Sequence, residues 1–138
     1  MQIEHPDSGV ILIAERDQNV RELQTYFLGQ AGFTVEFADD GQLALERAQA
    51  VQPLLVVTEI LIPRIDGLAL CRRLGEDPLT LHIPVLIFSI LAAGVRANEA
   101  GAKAFLRKPL VESIFLATVQ DLIAARLFEA REKQWASQ

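Results

Sequence analysis

Short runs of apolar residues alternate along this chain with longer segments whose apolar positions recur every three or four residues. Five apolar runs have the length of β-strands: residues 9–14, 33–38, 54–58, 85–89 and 103–107. Helical spacing follows each run, between Asp17 and Gly32, at residues 42–51, 68–74 and 92–100, and from Leu110 to about Lys133. Because most of the runs lack polar alternation, they are typical of strands buried on both faces. Five strand–helix repeats therefore predict an α/β fold, a doubly wound five-stranded parallel sheet with helices on both faces.

Polar residues stand directly after four of the predicted strands. They are Glu15, Arg16, Asp17, Glu59, Ser89 and Lys108. In parallel sheets of this kind, binding sites form beyond the carboxyl ends of the strands. We therefore expect acids, a hydroxyl group and cations to meet on one small patch.

Three motifs carry a resemblance to a known family. They are ILIAERD at residues 11–17, EILIPRIDG at residues 59–67, and AGA at residues 100–102, which leads to Lys108 and Pro109. With them, residues 9–125 resemble the response-regulator receiver domain of two-component signal transduction. The resemblance implies a flavodoxin-like, CheY-like fold with strand order 2-1-3-4-5.

The resemblance also implies a chemistry. In the family, an aspartate after the third strand accepts a phosphoryl group from a histidine kinase, and two acids after the first strand hold Mg²⁺. A hydroxyl after the fourth strand and a lysine after the fifth bind the phosphoryl oxygens, and an aromatic residue on the fifth strand reports the switch. The matching positions are Glu59 as acceptor, Glu15 and Arg16 with the neighbouring Asp17 as the acidic pocket, Ser89 and Lys108 as phosphoryl-binding residues, and Phe105 as the aromatic residue.

Two of these positions depart from the family pattern. Glu59 replaces the aspartate, and its extra methylene moves the carboxylate by about 1.5 Å, where about 1 Å of misplacement can cost on the order of a hundredfold in rate. Arg16 replaces an acid with a permanent cation. The charges of Glu15 and Glu59 then balance those of Arg16 and Lys108, so that no metal cofactor is expected. We hypothesise that the Arg16 guanidinium occupies the metal position and binds Glu59 with forked geometry.

Asp17 leaves an alternative open. If its side chain turned inward, Glu15, Asp17 and Glu59 could hold Mg²⁺, although its position suits a helix cap better. A further departure is the short stretch between Ser89 and Gly101, which predicts a short or irregular fourth helix.

The last helix is longer than the sheet requires. Its predicted core stripe consists of Val111, Phe115, Val119, Leu122 and Ile123. Leu127, Phe128 and Trp135 fall beyond the sheet, either in a frayed tail or in a dimer or partner contact. A second apolar surface is predicted in the loop after the third strand, at Ile60, Leu61, Ile62 and Ile65.

Composition limits the classes of function. The 138 residues suit one domain, and the net charge of −5 disfavours nucleic acid and anionic membranes as partners. Without a secretory pattern or a run of roughly 20 apolar residues, we expect a cytoplasmic protein. The predicted organisation is an N-terminal tail at 1–8, a receiver domain at 9–125, and a helix extension and tail at 126–138.

These observations favour a single-domain receiver that binds a histidine kinase, another regulator or a second copy of itself. It would act without phosphorylation and would not be an enzyme. The alternative is a Mg²⁺-dependent receiver phosphorylated by a histidine kinase. An unrelated flavodoxin-like ligand binder is disfavoured, since no glycine-rich phosphate loop follows the first strand.

Overall fold

The computed structural model describes residues 9–136. The strands are β1 (Val10–Ala14), β2 (Thr34–Ala38), β3 (Leu55–Thr58), β4 (Val85–Ser89) and β5 (Ala104–Arg107). The helices are α1 (Gln18–Gln30), α2 (Gly41–Val51), α3 (Gly67–Glu76), α4 (Gly94–Glu99) and α5 (Glu112–Ala136). The predicted N-terminal tail at 1–8 and the last two residues of the predicted C-terminal tail lie outside this range.

All five strands pair in parallel, in the order β2-β1-β3-β4-β5. In the central part of the sheet, Ile13 pairs with Phe37 on one side and with Val57 on the other. The predicted fold class and strand order are thus confirmed. The shared direction places the carboxyl ends of β1, β3, β4 and β5 along one edge of the sheet.

Helices cover both faces of the sheet. On one face, Leu12, Val56 and Ile87 pack with buried residues of α2, α3 and α4. On the other face, Ile13, Val57 and Phe88 pack with buried residues of α1 and α5. Because successive strand residues point to opposite faces, each central strand is apolar at nearly every position. This explains why the strands appear in the sequence as uniform apolar runs.

Helix α5 differs in part from its prediction. It begins at Glu112, so Val111 precedes the helix and is 48% exposed. The assignment of Val111 to the core stripe was therefore wrong, whereas Phe115, Val119 and Ile123 are buried as predicted. The helix continues to Ala136. Within residues 9–136, no helix combines the length and apolar character needed to cross a bilayer.

The loop between β3 and α3 is held tightly against its neighbours. The N–H of Gly41 donates to the carbonyl of Pro63 at 3.1 Å, and the N–H of Gly67 donates to the carbonyl of Ile60 at 2.9 Å. A Cβ on Gly67 would overlap the backbone oxygen of Glu59. This close approach fixes the backbone of the residue that follows β3.

The same loop corrects one prediction about surfaces. Ile60, Ile62 and Ile65 are 3%, 8% and 8% exposed and belong to the core beneath the loop. Only Leu61 is exposed, at 59%. The predicted apolar docking loop is therefore mostly core packing, because hydrogen bonds fold the loop back onto α2 and α3. The fourth helix, by contrast, is short as predicted, with six residues.

Replacing Gly67 by Ala is expected to lower the free energy of unfolding by about 2 kcal/mol, because the added methyl group must displace the backbone of Glu59. Gly75→Ala is the matched control on the same helix. No atom outside that helix's own backbone lies within 4 Å of its Cβ position, so stability should rise by about 0.5–1 kcal/mol. Urea unfolding followed by circular dichroism compares the two variants. Equal stabilities would contradict the close approach at Gly67.

Candidate functional site at the carboxyl ends of the strands

Four of the predicted polar residues meet where β1, β3, β4 and β5 end. Glu15, Glu59 and Ser89 are 3%, 5% and 0% exposed, and the Lys108 side chain is 15% exposed. Parallel strands bring these positions together, since each residue directly follows or ends its strand. The result is a buried cluster of two carboxylates, one hydroxyl and one ammonium group.

Lys108 joins the two carboxylates. Its Nζ lies 2.9 Å from Oε1 of Glu15 and 3.0 Å from Oε2 of Glu59. The ammonium group also lies 5.7 Å from the centre of the Phe88 ring. Burial acts to lower the pKa of Lys108, but its bonds to Glu15 and Glu59 outweigh burial and raise that pKa overall.

The Glu59 carboxylate is folded back onto its own loop. Its Oε1 accepts hydrogen bonds from the Ser89 hydroxyl, from the N–H of Ile60 at 2.7 Å and from the N–H of Leu61 at 3.3 Å. Its Oε2 accepts from the N–H of Ile90 at 3.2 Å and contacts Lys108. Both oxygens are therefore engaged by the protein.

The surroundings of Glu59 determine its charge. Burial acts to raise its pKa, but the hydrogen bonds from Ser89, Lys108 and Ile60 together hold the pKa below its usual range. Glu59 is consequently ionised at neutral pH.

Glu15 is fixed in a similar way. Its Oε2 accepts from the N–H groups of Arg16 at 3.1 Å and Asp17 at 3.0 Å, while its Oε1 contacts Lys108. Three of the four carboxylate oxygens in the cluster thus accept hydrogen bonds from the protein, whereas Oε1 of Glu15 has only its ion pair with Lys108.

The model of the response regulator receiver domain matches residues 11–120 of the sequence. The chain belongs to this family. Response regulator PleD of Caulobacter vibrioides is 30% identical over 91% of this chain and 28% of its own length. Response regulator MprA of Mycobacterium ulcerans is 34% identical over 88% of this chain and 53% of its own length. The chain therefore spans between about a quarter and about half of these relatives.

A solved structure shows the same fold. The signal receiver domain of a signal transduction histidine kinase from Syntrophus aciditrophicus has a TM-score of 0.79 and 31% identity, covering 86% of this chain and 92% of that one. The sheet order described above is thus that of a receiver domain, and Glu59 is the residue that follows β3.

Arg16 does not take the place predicted for it in this receiver. Its side chain is exposed and forms no ion pair with Glu59; the cation that contacts Glu59 is Lys108. The hypothesis of an Arg16–Glu59 fork was wrong. The reason is that the oxygens of Glu59 are already occupied by Ser89, Lys108 and backbone N–H groups. Because Arg16 lies at the rim, the buried cluster contains two acids and one cation. The sequence had instead predicted a net charge of zero for the pocket.

Asp17 serves as the cap of α1. Its Oδ1 accepts from the N–H groups of Asn19 at 2.9 Å and Val20 at 3.1 Å, and its side chain is exposed. Among residues 9–136, no three His, Cys, Asp or Glu side chains are placed to hold a metal ion together. The residues present do not fit the magnesium site that the family implies, since Glu15 and Glu59 are committed to Lys108 and Asp17 caps a helix.

Arg21 supports the site, although sequence reasoning did not single it out. Its Nε donates to the backbone carbonyl of Glu15, and its guanidinium contacts Asp39 at 2.7 Å and stacks over the Phe37 ring at 4.9 Å. Arg21 thereby ties the end of β1 to the end of β2. Its spacing of four residues from the cap Asp17 was the available signal, because it places Arg21 one turn into α1.

Phe105 lies on β5 opposite Ile87 and is partly buried against the α4 side of the sheet. A Cβ on Gly94, at the start of α4, would lie 3.4 Å from its ring. The aromatic position of the family is therefore packed beside the first turn of α4.

Removing the ammonium group should change how stability depends on pH. Lys108→Met leaves Glu15 and Glu59 buried without a cation, which should cost about 3 kcal/mol at pH 7. In the wild type, the pKa of Glu59 is lower in the folded state than in the unfolded state, so ionised Glu59 stabilises the fold. This contribution to the free energy of unfolding is complete above the unfolded-state pKa, and it is lost as the pH falls through the folded-state pKa. In the variant, burial without Lys108 favours protonation, so acid should relieve the penalty.

The difference in stability between wild type and Lys108→Met should thus shrink between pH 7 and about pH 4. Denaturant unfolding at several pH values measures it. Lys103→Met is the control, because Lys103 is exposed and has no carboxylate partner in the described part of the chain. A penalty for Lys108→Met that is constant with pH would contradict the bridging role.

Proposed function

We propose that this receiver acts through protein–protein contacts without being phosphorylated. The observation that carries the proposal is the state of the Glu59 carboxylate. Both of its oxygens are held, one by Ser89 and the loop N–H groups and the other by Lys108 and the N–H of Ile90.

A phosphoryl acceptor must direct a carboxylate oxygen at an incoming phosphorus atom. Oε1 of Glu59 instead accepts hydrogen bonds from the N–H groups of the two residues that follow it. Glu59 as a whole is only 5% exposed. Attack would first require those hydrogen bonds to break. The folded-back geometry supports the view that Glu59 is a structural group.

Electrostatics supports the same conclusion. Phosphorylation would replace the single negative charge of Glu59 by about −1.5 to −2 charges. The one cation inside the cluster, Lys108, is already shared by two carboxylates. Phosphoryl transfer depends on a bound metal to neutralise charge, and Glu15 and Asp17 are committed to other partners.

The contacts around Glu59 resemble those that the family makes with a phosphoryl group. The hydroxyl of Ser89, at the end of β4, donates to Oε1 of Glu59, and Lys108, after β5, contacts Oε2. We infer that Glu59 holds Ser89 and Lys108 in one arrangement permanently. Such a receiver would present a constant surface to a partner such as a histidine kinase or another regulator, in the cytoplasm, with self-association as a further mode.

The competing function is a Mg²⁺-dependent phospho-acceptor. Ser89 and Lys108 favour it, because both phosphoryl-binding positions of the family are retained next to a carboxylate.

The two functions differ in their reaction with acetyl phosphate and Mg²⁺. We expect the wild type to gain no phosphoryl group, as measured by intact-mass spectrometry immediately after mixing. Arg16→Asp/Glu59→Asp restores the acceptor and the acidic pair of the family, and it should gain one phosphoryl group as acetate leaves. An adduct on the wild type that disappears in Glu59→Gln would overturn the proposed function.

A further inference from the structure

Helix α5 carries large apolar residues on two opposite sides. Phe115, Val119 and Ile123 are buried against the sheet. On the opposite side lies an outer stripe of exposed residues: Ile114, Ala117, Asp121, Ala124, Phe128, Arg131 and Trp135. The steps along this stripe alternate between three and four residues, which is the spacing of the contact positions in a coiled coil.

The outer stripe has no cover within the described chain. Ile114, Phe128 and Trp135 are 54%, 63% and 77% exposed. Asp121 and Arg131 have no ion-pair partner within residues 9–136. Three large apolar residues exposed along one side of a helix favour an interaction surface.

We propose that the outer stripe binds the outer stripe of a second copy of this chain, with the two α5 helices antiparallel. This specifies the self-association mode of the proposed function. It uses a helix that contributes no side chain to the Glu59 cluster.

The order of residues along the stripe selects the register. When Ala124 faces Phe128 of the second copy, Asp121 faces Arg131 and Ala117 faces Trp135. Each pair places a small residue against a large aromatic one, or an acid against a base. Two-fold symmetry makes every pair occur twice in the dimer. In each pair, a position that follows a three-residue step on one helix faces a position that follows a four-residue step on the other, as in antiparallel coiled coils.

A parallel pairing fits the stripe poorly. It would place Asp121 against Asp121, Arg131 against Arg131, and each aromatic residue against its own copy. Like charges would face each other at two positions, which is destabilising. The charge pattern therefore favours the antiparallel arrangement.

The size of the contact indicates its strength. The 25 residues of α5 span about 37 Å, and only one helix of each copy takes part. Such an interface lies at the small end of specific interfaces. We therefore expect a reversible dimer whose population rises with concentration over about 10 µM to 1 mM.

Charge exchange tests the register. Asp121→Arg should face Arg131 with a like charge twice per dimer, and Arg131→Asp should do the same with Asp121. Each variant alone should weaken the dimer by about tenfold or more in sedimentation equilibrium. An equimolar mixture of the two variants should recover the dimer as a heterodimer, because both pairs then become opposite in sign. Asp121→Arg/Arg131→Asp in one chain should also recover it.

Glu99→Arg is the matched control. It makes the same change in charge at an exposed position of α4 and should leave the dimer unaffected. Circular dichroism of each variant verifies that α5 is intact. Phe128→Ser should abolish the dimer without any change in the Glu59 cluster.

The outcomes separate this proposal from the proposed function. A wild type that remains monomeric at about 1 mM, or a dimer insensitive to Asp121→Arg and Phe128→Ser, overturns the antiparallel contact. Recovery of the dimer in the mixture supports it. Phosphorylation of Glu59 would overturn the proposed function while leaving the result at α5 unchanged.

Discussion

The ammonium group of Lys108 holds together the carboxyl edge of the sheet. It is the only positive charge inside the described cluster, and it lies within 3.0 Å of the carboxylates of Glu15 and Glu59. Two buried acids at the ends of β1 and β3 are tolerated because this cation and several N–H donors compensate for their lost hydration. Together with the Ser89 hydroxyl, this arrangement keeps the pKa of Glu59 below its usual range, so that Glu59 is ionised.

The carboxylate of Glu59 makes two sets of contacts. It accepts hydrogen bonds from the N–H groups of Ile60 and Leu61, and it also contacts Ser89 and Lys108. Ser89 and Lys108, which match the phosphoryl-binding positions of the family, therefore bind the carboxylate of Glu59. The two departures of the sequence are then related, since the loss of an acid at Arg16 matters little where Ser89, Lys108 and backbone N–H groups already hold the Glu59 carboxylate.

Much of the fold follows from the sequence, because uniform apolar runs alternating with helical spacing are a property of doubly wound sheets. The meeting of Glu15, Glu59, Ser89 and Lys108 follows as well, since parallel strands share one carboxyl edge. The exposure of Arg16 does not follow from the sequence, because it depends on which donors lie close enough to bind Glu59 in the folded structure. The burial of Ile60, Ile62 and Ile65 was also missed: an apolar loop is equally consistent with a surface patch until its backbone hydrogen bonds are known.

A magnesium titration of the wild-type protein tests the central claim most directly. Amide NMR shifts of Ile60, Leu61 and Ile90 report on the Glu59 carboxylate, because all three N–H groups donate to it. If Lys108 and these donors occupy the pocket, the three resonances should keep their positions as the Mg²⁺ concentration rises to about 10 mM. Saturable shifts of all three would show that the carboxylates are available to a metal, and would contradict the account.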